Sequence, residues 1–152
     1  MNNLIKSLKK SILFEGVSSN NLEKILSFVD YRLIDLEKED ILFDSYTSTD
    51  LIGIILYGKI FVEKILPCGK EVLVFHKSTG ELFGEVAAFS NAEQYPCNVI
   101  AKTKCKVILF KKSELLKMLS CDTQILNNFL YLISSKALYL NHKVESLSYT
   151  SV

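Results

Sequence analysis

From Asp122 to about residue 148 the chain contains neither proline nor glycine, and its apolar residues keep a fixed rhythm. Leu126, Ile133, Leu140 and Leu147 recur every seven residues, and Leu130, Ala137 and Val144 follow the first three of these by four. A 4-3 spacing, with branched or small residues in one register and mainly leucine in the other, is the seam of a two-stranded parallel coiled coil. A second stripe, Ile125, Phe129, Leu132 and Tyr139, runs along the same segment. One stripe can dock on a domain while the other meets a partner. The segment therefore implies a long C-terminal helix that joins two copies of the chain.

Upstream the period changes from helix to strand. Residues 31–110 carry short β-prone runs separated by tight turns. "YRLIDL" and "DILFD" flank the polar turn Glu37–Asp40, and "LPCGKEVLVFH" reads as a hairpin turning at Pro67–Lys70. In "IILYGKIFVEKI" the residues Ile54, Leu56, Gly58, Ile60 and Val62 share one face, Lys59 and Glu63 take the other, and Gly58 marks a bend or a close backbone approach. Val99, Ala101, Thr103, Cys105, Val107 and Leu109 alternate with Lys102, Lys104 and Lys106, which implies a strand with one wet face and turns those lysines outward. Ahead of the strands, Asn20 with Glu23 reads as the start of a helix that buries Leu22, Ile25, Leu26 and Val29, and residues 4–13 suit another short helix. Ser113 can cap "ELLKMLS". Such a chain is mainly β with flanking helices: an antiparallel sandwich or barrel in one domain over residues 1–120, and the dimerisation helix over 121–152.

Composition narrows the function. A length of 152 residues with 49% apolar and 23% charged residues fits one globular domain, and a net charge of +1 gives no global field to attract nucleic acid or an anionic membrane. Apolar runs fall well short of the ~18–20 residues that span a bilayer, and the start shows no secretory pattern, so a cytoplasmic protein without membrane contact is expected. Cys68, Cys97, Cys105 and Cys121 form no C-x-x-C pair, and only His76 and His142 could join them, so no metal, iron–sulfur or haem cofactor is expected. The motifs G-x-S-x-G, H-E-x-x-H and the P-loop are lacking, which argues against an enzyme.

The remaining signal lies in "GELFGEVAAFSNAEQYPCNV", Gly80 to Val99. With "IILYGKIFV", "CGKEVLVF" and "VIAKTKCKVILFKKSELLKML" in this order, it resembles the sensor domain of Crp/Fnr-type transcription regulators, the cyclic-nucleotide-binding domain. The resemblance covers nearly the whole chain. It implies a jelly-roll, cupin-like double-stranded β-helix barrel, a homodimer through the long helix and a small-molecule effector. It also implies DNA contact through a winged helix-turn-helix beyond residue 152, so the chain is expected to be the N-terminal part of a longer regulator; a stand-alone regulatory module is the alternative.

By that resemblance Gly84, Glu85, Val86 and Ala87 form the phosphate-binding cassette, with backbone N–H groups at a helix start and Glu85 accepting from a ribose hydroxyl. Two departures follow. Tyr95 and Pro96, then Cys97, stand where cyclic-nucleotide binders carry Arg and Ser or Thr, and a missing cation forfeits ~1.5–3 kcal/mol or more. Leu140 and Asn141 stand where cyclic-AMP sensors carry a base-reading Thr-Ser pair. The expectation is therefore a cradle with no fixed cation and an effector other than cyclic AMP. Thiol chemistry at Cys97 or Cys68 is the rival reading, although Cys97 has no cationic neighbour in sequence to activate it.

Overall fold

The computed structural model describes residues 2–150, with side chains through residue 145 of the last helix; the seam residue Leu147 and the end of the expected 121–152 segment lie outside the described side chains and residues. The chain opens with helix α1 (Asn2–Leu8), a 3-10 turn (Ile12–Phe14) and helix α2 (Ser19–Phe28). Ser18, in extended conformation, accepts a hydrogen bond from Asn21 N at 3.2 Å and so caps α2 two residues ahead of Asn20, the expected cap. Leu22, Ile25, Leu26 and Val29 are all buried, as the helical spacing requires.

Eight strands follow in two open four-stranded antiparallel sheets. One has the order β1 (Arg32–Leu36), β8 (Cys105–Lys111), β3 (Leu51–Tyr57), β6 (Leu82–Phe83). The other has the order β2 (Ile41–Phe43), β7 (Asn98–Ala101), β4 (Ile60–Ile65), β5 (Glu71–Lys77). Successive strands repeatedly change sheet, which gives a jelly-roll-like sandwich with flanking helices. The closed, cupin-like barrel of the sequence reading is thus replaced by two separate sheets facing each other.

The helices make a third layer, and that layer accounts for where strand parity departs from expectation. Ile52, Ile54 and Leu56 of β3 and Ile108 and Phe110 of β8 pack against the helices, while Ile55, Val107 and Leu109 point into the sandwich. The central strands β3 and β8 are buried on both faces, so the one wet face expected for the Val99–Leu109 run is dry at Ile108 and Phe110. That run is also two strands, parted by a turn at Lys102–Lys104. Likewise Ile54 and Leu56 face the helices, whereas Ile60 and Val62 face the sandwich interior. The divide falls at Gly58, with φ of +102° and room for no Cβ, since one would meet Cys105 Sγ and Lys104 O at 2.6 Å. A bulge between Val62 and Glu63 then leaves Glu63 buried and paired with Lys102 at 3.7 Å, not on a wet face.

Between the strands lies helix α3 (Glu85–Phe89), and after them α4 (Lys112–Cys121) and α5 (Thr123–Thr150). Ser113 is already inside α4, whose cap position is Lys111 with no side-chain bond, so the expected serine cap is not formed. The break into α5 is made by Asp122, whose Oδ1 accepts from Gln124 N at 2.8 Å and Ile125 N at 3.1 Å. Asn128 then clasps the N-terminal turn, donating to Leu13 O at 2.9 Å and Glu15 O at 2.8 Å. Ile125, Phe129 and Leu132 dock on the helical core, whereas Tyr139 is exposed.

The two-faced burial of β8 gives a direct contrast. Ile108→Ala should cost about 2–5 kcal/mol, as deletion of a fully buried branched side chain does, while Lys106→Ala should change stability by less than about 0.5 kcal/mol. Urea denaturation of both variants against the parent chain reads the difference.

Candidate functional site

The cassette is set by one glycine. Strand β6 runs into α3 through Gly84, which has φ of +87° and sits so close to β3 that a Cβ there would lie 2.6 Å from Leu51 O. Any other residue would strain the backbone and push β3 away. The turn leaves Glu85 as the first residue of a short helix, with Ala88 N already donating to Gly84 O at 3.0 Å and the amides before it free of helical partners. Glu85 points inward and is only 4% exposed.

A buried carboxylate needs partners, and here they are two ammonium groups. Lys136 of α5 forms an ion pair and hydrogen bond with Glu85 Oε1, and Lys77 Nζ of β5 lies 3.9 Å from the same oxygen. Both Nζ atoms sit 5.5 Å from the centre of the Phe75 ring, and Lys77 also donates to Leu82 O at 2.6 Å. The expectation of a cradle with no fixed cation is therefore overturned. The positive groups come from a neighbouring strand and from the long helix, not from the segment that carries Tyr95 and Pro96.

Gly84, Glu85, Val86, Ala87, Tyr95, Pro96 and Cys97 line one cavity of about 140 Å³, with Lys77, Lys136, Val62, Val74, Phe75 and Phe83 completing the wall. The Tyr95 ring is buried edge-on against Phe43, with centroids 5.0 Å apart, and Phe43 packs on Phe83 at 5.4 Å. Leu140 and Asn141 are exposed on α5 and are not part of this wall; the residue that α5 sends in is Lys136, about one turn earlier. Lys77 and Lys136 were missed from sequence, yet each left a trace. The docking stripe spaced at Ile125, Phe129 and Leu132 reaches Lys136 at its next step, and Lys77 alternates with Phe75 on β5, the two residues of that strand that are not fully exposed.

Electrostatics follow from this packing. Burial, opposed by Glu85 and reinforced by the neighbouring Lys136 charge, lowers the Lys77 pKa to about 8. Glu85 stays below the usual carboxylate range: burial would raise it, but the two ammonium groups and their hydrogen bonding outweigh that effect. Burial and the Glu85 charge push the Tyr95 phenol up, so it stays neutral. Burial also raises the half-buried Cys97 thiol, which moves it away from the reactive thiolate form despite the nearby Lys64. Cys105 is a buried core residue bonding to Lys59 O and Thr103 O, each at 3.2 Å. Among the described residues no group of three or more His, Cys, Asp or Glu could hold a metal ion, and no helix is long and apolar enough to cross a membrane.

The cyclic nucleotide-binding domain model matches residues 33–122, and the chain belongs to that family. Solved structures show the same fold. The catabolite activator protein of Thermus thermophilus aligns with a TM-score of 0.77 at 18% identity, over 91% of this chain and 63% of that one. The sensor domain of the transcriptional regulator DNR from Pseudomonas aeruginosa aligns at 0.75 and 19% identity, over 95% and 93%. A transcriptional regulator from Thermotoga maritima aligns at 0.71 and 23% identity, over 81% and 94%. No curated protein sequence gives a significant match. The chain thus spans under two thirds of the Thermus protein's length but nearly all of the Pseudomonas sensor domain.

The Lys77 shift carries a sign. Its folded pKa, about 8, lies below the unfolded value of 10.5, so between these pH values the unfolded chain binds more protons. The destabilisation is full below pH 8 and is relieved as pH rises. In urea midpoints from pH 7.5 to 9.5, Lys77→Met should flatten the rise seen in the parent chain; an unchanged slope would assign that rise to other groups.

Proposed function

We propose that this chain is the effector-sensing and dimerisation domain of a cytoplasmic, non-catalytic Crp/Fnr-like transcription regulator. It would act on DNA through a winged helix-turn-helix beyond residue 152. The observation that carries the reading is the Lys136–Glu85 pair. It joins the cassette to the same helix whose outer face presents the 4-3 seam. Leu126, the first residue of the seam, is half-buried against the helical core of its own chain, whereas Leu130, Ile133, Ala137, Leu140 and Val144 are exposed in the single chain, with Leu130 at 53% and Val144 at 61%. A contiguous apolar row of this kind on a long helix is suited to a second copy of itself.

The effector is a small molecule held beside Gly84, Glu85 and Tyr95. Lys77 and Lys136 give the site two positive charges against one carboxylate, so an anionic effector is admissible on charge. Cyclic AMP is disfavoured on shape. The cavity of about 140 Å³ is small and mostly apolar-walled, and the buried Tyr95 ring takes up part of its lining. Sites for drug-sized ligands run to ~300–1,000 Å³. An effector that competes for Lys136 would loosen α5 from the cassette and bias two arrangements of the helix pair.

Two measurements test this. Ile133→Lys with Leu140→Lys should yield monomers by sedimentation with the sandwich still folded by circular dichroism, and a surviving dimer would remove the coupling. Calorimetry should show no binding of cyclic AMP tighter than about 100 μM, and micromolar binding would make the site a nucleotide sensor.

A further inference from the structure

A second cavity, of about 240 Å³, lies against the same charged cluster but opens toward the helical layer. It sits where the N-terminal segment, the turn before β6 and α5 meet. Its apolar side is made by Ile12, Leu82, Phe129 and Leu132. Its polar side holds three ammonium groups, Lys10, Lys77 and Lys136, against two carboxylates, Glu81 and Glu85. Glu81 is spent on its own turn, accepting from Ser78 N at 2.7 Å. Glu85 is already committed: Oε1 takes both lysines, while Oε2 is sealed from solvent and has no hydrogen-bond partner among the described residues.

These facts define what would complete the site. One excess positive charge is balanced by a single anionic group, and a dianion would overshoot it beside Glu85. The apolar side calls for a short hydrocarbon chain, and the volume, below the ~300 Å³ of common drug-sized sites, keeps the molecule small. We propose that this cavity binds a short aliphatic monocarboxylate, with its carboxylate on Lys77 and Lys136 and its chain on Ile12, Phe129 and Leu132. The site is separate from the cradle beside Tyr95. It shares only the Lys77–Glu85–Lys136 wall with it, so an occupant here would also act on the contact that holds α5 to the cassette.

The protonation of Lys77 gives a second handle. The groups facing it are Glu85 from α3, Lys136 from α5 and Glu81 from the turn. A carboxylate placed beside it raises a pKa that starts near 8, so binding at pH 8 takes up protons and binding at pH 6.5 does not.

The test is titration calorimetry of the whole chain with hexanoate, in pairs of buffers of different ionisation heat. One molecule should bind per chain with a dissociation constant below about 1 mM, with proton uptake at pH 8. Lys136→Met should weaken binding about 10- to 150-fold, the worth of one charge-assisted hydrogen bond. Ile12→Trp should fill the cavity and abolish binding, whereas Val74→Trp, which fills the cradle, should leave it in place. 1-Hexanol should bind at least about 10-fold more weakly for lack of the charge. Absence of saturation overturns the proposal, as does equal binding of 1-hexanol. Loss of binding in Val74→Trp with retention in Ile12→Trp would move the ligand to the cradle. Circular dichroism of each variant separates lost binding from lost fold.

Discussion

A carboxylate taken out of water has to be answered by positive charge, and Glu85 is the point from which the arrangement of this chain can be read. Its position is set by a left-handed Gly84 pressed against Leu51 O, and its charge is met by Lys77 from the second sheet and Lys136 from the last helix. Burial, reinforced by the neighbouring charge of Lys136, is why Lys77 gives up its proton more readily than an exposed lysine. A buried pair of this kind adds little net stability, because desolvation offsets attraction, but it is costly to break one-sidedly. Its value lies in register: the strand, the cassette and the helix can satisfy the carboxylate together in only a few arrangements.

The layering explains how that cluster is reached. The central strands β3 and β8 of the first sheet are dry on both faces, with helices on one side and the second sheet on the other. Helix α5 must therefore lie over the sheet edge near β6 and α3 to bury Ile125, Phe129 and Leu132. Once it does, the next residue on that stripe faces the cassette. The stacking of Phe89 on Phe129, with centroids 5.4 Å apart, fixes the approach. The apolar packing aims the lysine, and the ion pair then holds the helix at that rotation.

Much of this was legible in the residues. The core face of Val99 to Leu109, the hairpin at Pro67–Lys70, the bend at Gly58 and the helical face of Leu22 to Val29 were readable from spacing and turn chemistry, and the cassette at Gly84–Glu85 from the family resemblance. What escaped was whatever depends on a third layer. Ile108 and Phe110 break a clean alternation because helices cover the side that a two-layer sandwich would leave wet. The cations of the cassette escaped for a related reason. They were sought beside Tyr95, in the stretch that follows the cassette, whereas sheet pairing brings Lys77 from eight residues upstream and helix docking brings Lys136 from fifty-one residues downstream. Both caps were misplaced by two residues: Ser18, not Asn20, is the extended residue before α2, and α4 starts after Lys111 with no side-chain cap at all.

The clasp of Asn128 on the Leu13 and Glu15 carbonyls, together with the Asp122 cap, pins the root of α5, while most of its length projects past the sandwich. From Asn128 to Thr150 a straight helix extends about 33 Å. A tilt of about 10° at the pinned root would sweep its far end through roughly 6 Å, given that length. Rearrangements no larger than an ion pair at the inner turn would thus arrive at the distal tip as displacements comparable to a full helical pitch, with the apolar docking of Phe129 as the fulcrum.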